Sequence, residues 1–173
     1  MFLKRFKEKS NQKYLRKLLE DRATVIKLKK IETVGILLNF DEFNDYDVLK
    51  SFFKNLGIKD KNIKFIAYLN KDKVPPNSWD TFFYADDFGW RGKINNVSLN
   101  DFIAKNFDLL ISYYNTQSYE LNVVTALSKA HFKIGIANYD ERLHDFIINI
   151  KTSQIEIFKD EVLKYLKVLK ITR

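Results

Sequence analysis

The stretch "FDLLISYYNTQSYELNVVTALSKAHFKIGIA", residues 107–137, decides the fold of this protein. It begins with an apolar run, continues through the short polar loop "YYNTQS" (113–118) and a helical segment, and ends with a second apolar run. Within the helical segment Leu121, Val124 and Leu127 recur every third residue, which places them on one face of a helix. The order strand, helix, strand predicts a βαβ unit with two parallel strands.

A second unit of the same kind lies upstream. The run "TVGILLNF" (33–40) is almost entirely apolar, which is typical of a strand covered on both faces. A helical pattern follows and ends at Gly57, the residue type that favours a left-handed helix C-terminus. Further strands are predicted at "NIKFIAYL" (62–69) and, more briefly, at "TFFYA" (81–85). We therefore predict a three-layer α/β fold, Rossmann-like or flavodoxin-like, with a mostly parallel sheet of about five strands.

The last strand is predicted to differ from the others. The segment "NYDERLH" (138–144) is rich in turn residues and is too short for a crossover helix. We therefore predict that "DFIINI" (145–150) folds back as a hairpin and forms an antiparallel edge strand. The segment "KVPPNSW" (73–79) is predicted to be a loop, because its two prolines are incompatible with a helix or a central strand.

One domain is predicted to span residues 1–173, with a leading helix at 1–22 and a Rossmann-like core at 31–173. In the leading helix, apolar residues recur at helical spacing with lysines and arginines between them. Such a basic amphipathic helix can lie on a membrane surface, or it can pack on the domain and carry solvated lysines. The pattern favours packing, because Glu8 and Glu20 dilute the positive charge.

Composition limits the class of protein. Hydrophobic residues make up 46% of the 173 residues, enough for a buried core, and the absence of cysteine excludes disulfides and thiolate metal sites. No secretory signal and no transmembrane segment are recognisable, so we expect a cytoplasmic protein. The net charge of +8 comes from basic residues interleaved with acidic ones, so the charge does not favour nucleic acid as a partner.

The motifs of familiar catalytic and nucleotide sites are missing. The sequence contains neither G-x-G-x-x-G nor G-x-x-x-x-G-K-[ST], so it has no standard phosphate-binding loop. His131 and His144 stand apart from each other and from any closely spaced carboxylate, which argues against a metal site. We predict no cofactor and no metal, and the sequence leaves open whether the protein is an enzyme.

Polar residues follow several of the predicted strands. Ligands of open parallel sheets bind beyond the carboxyl ends of the strands, so these residues define a candidate site for a small anionic or polar ligand. The densest part is "DDFGWRGK" (86–93), where Trp and Arg are neighbours, as they are on recognition surfaces. The alternative is that Trp90 closes one end of the core while Arg91 pairs with Asp86 or Asp87. The candidate ligand-binding residues are Asp41, Asp86, Asp87, Trp90, Arg91, Lys93, Tyr114, Asn115 and Thr116.

The loop "YYNTQS" precedes the helix of the βαβ unit at 107–137. Thr116 or Ser118 is predicted to cap the N–H groups at the start of that helix. The loop is therefore predicted to be a turn first, and the wall of a site rather than its reactive part.

Four segments together carry a resemblance to known sequences. They are "DDFGWRGK", "FDLLISYY", "ALSKAHFKIGIA" and the terminal "FKDEVLKYLKVL". In these segments and in its overall pattern the chain resembles an uncharacterised protein family of Bacteroidota, including flavobacteria. The resemblance implies a cytoplasmic bacterial protein and carries over no catalytic residue, because that family has no assigned activity.

The sequence is compatible with three functional hypotheses. The leading one is a non-catalytic α/β binding or interaction domain, since no acid/base pair or nucleophile is recognisable. The alternative is a small enzyme or a nucleotide or sugar-phosphate binder that uses the carboxyl-end rim of the sheet. A weaker alternative is association with a membrane surface or nucleic acid through the basic leading helix.

Overall fold

A computed structural model describes residues 2–22, 30–73, 81–137 and 139–169, and these contain one six-stranded sheet. Its strands are β1 (Val34–Asn39), β2 (Ile63–Tyr68), β3 (Phe82–Phe83), β4 (Leu109–Tyr113), β5 (Phe132–Gly135) and β6 (Phe146–Ile147). The spatial order is β3-β2-β1-β4-β5-β6, and every pair of neighbours is parallel. This is the strand order of the dinucleotide-binding Rossmann sheet rather than of flavodoxin, so the Rossmann-like prediction is confirmed.

Five α-helices cover the two faces of the sheet. They are α1 (Phe2–Glu20), α2 (Tyr46–Asn55), α3 (Val97–Ala104), α4 (Tyr119–Leu127) and α5 (Ile155–Val168). Apolar side chains of α2 and α5 form one core cluster with the sheet, and those of α1, α3 and α4 form a second cluster on the opposite face. Because both faces are covered, all six residues of β1 are buried, as its continuous apolar run predicts.

The end of α2 forms as its sequence predicts. Gly57 adopts a φ of +87°, in the left-handed region that glycine enters at low cost. Its N–H donates to the carbonyl of Lys54, and the N–H of Ile58 donates to the carbonyl of Phe53. These two bonds satisfy carbonyls at the helix terminus, and Ile58 turns back into the core.

The prediction of an antiparallel edge strand is wrong. β6 pairs with β5 in parallel, with Ile134 opposite Phe146 and Gly135 opposite Ile147. The connection between them needs no crossover α-helix, because a four-residue strand such as β5 is only about 13 Å long. One 3₁₀ turn, Glu141–Leu143, is enough to return the chain to the amino end of β5. The sheet therefore has six parallel strands instead of five and a hairpin.

One local prediction needs adjustment, and another lies outside the described residues. α3 begins at Val97, and its cap is Asn96, whose side chain accepts a hydrogen bond from the N–H of Leu99. The predicted strand at 81–85 contains only the two residues of β3. Most of the predicted loop at 73–79 falls outside the part of the chain that the structure describes.

Candidate functional site

The boundary between β1 and β4 is the topological centre of the candidate site. The chain leaves β1 towards α2 on one face of the sheet, and it leaves β4 towards α4 on the other face. The strand order therefore reverses between these two strands. In open α/β sheets this switch point is where ligands bind, in the crevice between the two diverging loops.

Glu42 occupies this switch point with its carboxylate. Its Oε2 accepts a hydrogen bond from the backbone N–H of Asn115 at 2.6 Å, and its Oε1 accepts one from the N–H of Thr116 at 2.8 Å. The side-chain amide of Asn39 donates to Oε1 at 2.8 Å. Backbone N–H groups in such a loop are the donors that an anionic ligand would use. Here the chain supplies its own anion.

The side chain of Asn115 ties the same loop to the segment before α5. Its Nδ2 donates to the carbonyl of Ile150 at 2.8 Å, and its Oδ1 accepts from the N–H of Thr152 at 2.7 Å. The hydroxyl of Tyr113 donates to the carbonyl of Thr152 at 2.8 Å. Both polar groups of the Asn115 side chain are therefore used inside the protein, which holds the loop in one conformation.

Tyr114 points away from the crevice into the core. Its side chain is buried, and its hydroxyl lies 3.2 Å from Oδ1 of Asn122 and 3.0 Å from Oγ1 of Thr125. Burial raises the pKa of Tyr114 well above its ordinary value. The phenol is therefore a neutral structural group and does not line the crevice.

Of the two predicted caps, Thr116 and Ser118, it is Ser118 that caps α4. Its Oγ accepts a hydrogen bond from the N–H of Leu121 at 3.4 Å. The N–H of Thr116 is instead bonded to Glu42. The loop 113–118 is therefore a turn whose polar groups serve the fold, in agreement with the prediction.

The acidic residues of "DDFGWRGK" also have local partners. Asp86 forms an exposed ion pair with Lys71, and this partner lowers the pKa of the Asp86 carboxyl. Oδ2 of Asp87 accepts hydrogen bonds from the N–H of Tyr84 at 2.8 Å and from Nδ2 of Asn96 at 3.0 Å. Asp87 therefore fixes the turn that joins β3 to α3.

The alternative prediction for Trp90 and Arg91 is wrong. Trp90 is 48% exposed, so it does not close the core; the buried aromatic of the segment is Phe88. Arg91 adopts a left-handed φ of 53° in the 3₁₀ turn Trp90–Gly92, and within the described ranges it pairs with neither Asp86 nor Asp87. Lys93 is exposed, and its backbone carbonyl closes the turn by accepting from the N–H of Gly89 at 2.7 Å.

The turn 89–92 is the docking surface of α1. The side chain of Asn11, which is buried, donates to the carbonyl of Gly89 at 3.1 Å and accepts from the N–H of Gly92 at 3.4 Å. The ring of Tyr14 lies so close to Gly92 that a Cβ there would be 2.0 Å from it. Only glycine fits this contact, and Gly92 also has a φ of +74°.

The candidate residues therefore do not form one rim. Asn115 and Thr116 lie at the switch point, whereas Asp86 to Lys93 follow the edge strand β3, and the turn 89–92 within that stretch contacts α1. Asp41 follows β1 but pairs with Lys73 at 2.7 Å. Binding of a ligand by any of these residues remains a prediction.

Two depressions lie near the ends of the strands. One of about 390 Å³ lies beside Asn115 at the carboxyl edge, and its other lining residues include Tyr139, Lys151 and Gln154. A wider cleft of about 970 Å³ lies at the amino ends of β1 and β2, away from every predicted site residue. Of these two depressions, which the described residues border, the smaller one lies next to the switch point.

Comparison with known proteins gives a family and no activity. A model described as a family of unknown function, DUF6913, matches residues 7–169. The chain belongs to this family. Comparison with curated proteins gave no match, and comparison with solved structures gave none either. The family match confirms the predicted resemblance to an uncharacterised family, while the bacterial origin remains a prediction.

This DUF6913 protein has a buried basic cluster beneath β5 and β6 that no sequence motif predicts. Lys133 is buried, and its Nζ donates to the carbonyls of Thr125 at 2.6 Å and Ala126 at 3.3 Å. Burial lowers the pKa of Lys133 to about 8. The sequence feature that indicates this buried lysine is its position within the apolar run "FKIGIA".

His144 lies beside that lysine and is also buried. Its ring packs on Gly135, and neither ring nitrogen has a hydrogen-bond partner among the residues that the structure describes. Burial, together with the charges of Arg22 and Lys133, lowers the pKa of His144 to about 3. The imidazole is therefore neutral at ordinary pH.

None of the helices within the described ranges is long and apolar enough to cross a membrane. In that part of the chain no three His, Cys, Asp or Glu side chains are grouped to hold a metal ion.

Proposed function

We propose that this protein is a non-catalytic binding domain of the cytoplasm, whose partners contact its outer surface rather than a crevice in the sheet. The observation that carries the proposal is the position of Glu42. Its carboxylate is bonded to the N–H groups of Asn115 and Thr116 at the switch point. Backbone N–H groups in a loop at the switch point are among the donors that an anionic ligand could use.

Displacing Glu42 would be costly for a ligand. Hydrogen bonds to a charged acceptor contribute about 1.5–3 kcal/mol each, more than those between neutral groups. An incoming phosphate would have to replace three such bonds, including the one from Asn39, and leave the carboxylate without partners. Asn115 adds further resistance, because its side chain also joins the loop to Ile150 and Thr152.

The first experiment removes the internal anion. We expect Glu42→Ala to lower the free energy of unfolding by about 1–2 kcal/mol, because it removes the charged acceptor of two backbone N–H groups in a loop that is partly exposed to solvent. Urea denaturation measures this loss. The matched control is Glu156→Ala, which removes an exposed carboxylate from the first turn of α5.

A small carboxylate should then rescue the variant. We expect sodium formate to raise the Tm of Glu42→Ala by about 2–4 °C more than sodium chloride does, since the recovered bonds amount to about 1 kcal/mol. The wild type and Glu156→Ala should show no such difference. If Glu42→Ala is as stable as Glu156→Ala, or formate acts no better than chloride, the crevice is not closed by Glu42 and the proposal fails.

A ligand screen separates the proposal from the enzyme or nucleotide-binder alternative. A ligand at 100 times its Kd stabilises a protein by about 2.7 kcal/mol, which a thermal-shift assay detects. We expect no such stabilisation of the wild type by nucleotides or sugar phosphates. A stabilisation that is lost in Tyr139→Ala would place a ligand in the depression beside Asn115 and would overturn the proposal.

A further inference from the structure

The two halves of α1 have different surroundings. The second half packs on the domain: Asn11 and Leu19 are buried, and Tyr14, Leu15 and Leu18 join the core cluster of α3 and α4. The first half projects beyond this contact, with each of residues 2–6 exposed. The domain therefore presents the first two turns of α1 as an ordered, unburied helix.

The projecting turns carry large apolar side chains. Phe2 is 81% exposed, Leu3 76% and Phe6 57%. The rings of Phe2 and Phe6 lie 6.3 Å apart between centroids, so the two phenylalanines share one face of the helix, with Leu3 next to them in the i, i+3 position. Single exposed apolar residues are common on proteins, but a contiguous group of this kind indicates an interaction surface.

Positive charge surrounds this apolar face. Lys4, Arg5, Lys7 and Lys9 lie within the same turns, and Glu8 is the acidic residue among residues 2–9. Lys7 lies near enough to Asp86 to contribute to the lowered pKa of that carboxyl. An apolar helical face flanked by lysine and arginine matches an anionic lipid surface, where the rings enter the acyl boundary and the cations meet the headgroups.

We propose that the Phe2–Lys9 segment of α1 docks this domain on an anionic membrane surface. Because the second half of α1 is already held by the turn 89–92 and by the core, docking does not have to order the whole helix. The proposal goes beyond the function given above, because the docking segment and the switch point share no residue. The experiments on Glu42 therefore do not test this docking proposal.

Co-sedimentation of the full chain with vesicles tests the proposal. The probes are vesicles of phosphatidylcholine alone and of phosphatidylcholine mixed with phosphatidylglycerol. We expect binding to the mixed vesicles to be at least about tenfold tighter at low salt and to weaken as salt is added. Equal binding to both kinds of vesicle would contradict the role of the basic residues.

Paired variants separate the apolar from the electrostatic contribution. We expect Phe2→Ser combined with Phe6→Ser, and separately Lys4→Glu combined with Arg5→Glu, each to weaken binding to mixed vesicles by about tenfold or more. The apolar control is Val168→Ser, at a 77% exposed valine of α5, and the charge control is Lys59→Glu combined with Lys61→Glu. Controls that lose as much binding as the α1 variants would overturn the proposal.

Other occupants of the surface give different results. Tighter binding to duplex DNA or RNA than to mixed vesicles, insensitive to Phe2→Ser with Phe6→Ser, would assign the segment to nucleic acid. A dimer in solution that those substitutions convert to monomer would assign it to a second copy. Either result overturns the proposal. Glu42→Ala should leave vesicle binding unchanged, so a failure here is distinguishable from a failure of the crevice experiment.

Discussion

Two polar clusters in this molecule differ in whether their groups have partners. Around the end of β4, the buried hydroxyl of Tyr114 and the partly buried polar groups of Glu42 and Asn115 are bonded within the chain. Beneath β5 and β6, the ring nitrogens of His144 find no partner among the described residues, and the nearby charges include the cations Arg22 and Lys133. The first arrangement stabilises one conformation. The second makes the stability of the fold depend on pH.

The largest effect is expected from a change that disturbs the second cluster. A Cβ on Gly135 would lie 2.4 Å from the ring of His144, so Gly135→Ala should force the buried ring to move and cost about 2–3 kcal/mol. Urea denaturation measures the loss. In a His144→Ala background the same substitution should cost much less, because the obstructing ring is absent.

A matched glycine gives the control for this comparison. A Cβ on Gly89 would meet nothing nearer than 3.3 Å, so Gly89→Ala should be tolerated better. If Gly135→Ala is no less stable than Gly89→Ala, the ring of His144 is free to move and the cluster is not tightly packed.

The pH dependence is the second expected effect. His144 has a pKa of about 3 in the folded protein against about 6.5 when unfolded, so between these values the unfolded chain binds a proton that the folded chain does not. The free energy of unfolding should therefore fall as the pH falls below about 6.5, by up to about 1.4 kcal/mol per pH unit. Urea denaturation from pH 7 to pH 5 measures this slope.

Replacing the imidazole should remove that slope. His144→Phe replaces the imidazole with a ring that does not titrate, so its stability should change little over the same pH range. His131 is exposed, and His131→Phe is the comparison variant. Equal slopes for the wild type and His144→Phe would show that another group is responsible.

The smallest effect is expected at the partnered cluster. Tyr114→Phe removes a hydroxyl bonded to Asn122 and Thr125 and should cost about 1–2 kcal/mol, with no change in pH dependence near neutrality. Stability measured at pH 7 and at pH 5 tests both statements. A loss that grows on acidification would remove the distinction between the two clusters.

The sequence predicts those parts of the fold that depend on residues close together in the chain. The apolar run of β1, the glycine that ends α2 and the cap at Ser118 all depend on residues a few positions apart, and the structure confirms them. The direction of β6 depends on the length of β5. The apolar run "FKIGIA" suggests a longer strand than the four residues that form, so the hairpin prediction is wrong.

The contacts at the candidate sites could not be predicted in this way. Glu42 meets the N–H of Asn115 across 73 positions, and Asn11 meets Gly89 across 78. Local patterns carry no information about such pairs, and in the sequence Glu42 is one of several acidic residues around the start of α2. The sequence predicts "DDFGWRGK" as the densest part of a ligand-binding site, and this stays a prediction. In the structure, several of its polar groups serve the docking of α1 and the closure of the turn.

The two anchors of α1 have a consequence for the order of folding. Asn11 binds the turn that follows β3 at one edge of the sheet, while Arg22, just past the helix, pairs with Asp145 beside β6 at the other edge. Neither anchor exists until the strands that bear it have assembled, and contacts so distant in sequence form slowly. Although α1 precedes every strand of the sheet in the sequence, it should therefore be among the last elements to dock, and its docking reports a completed sheet.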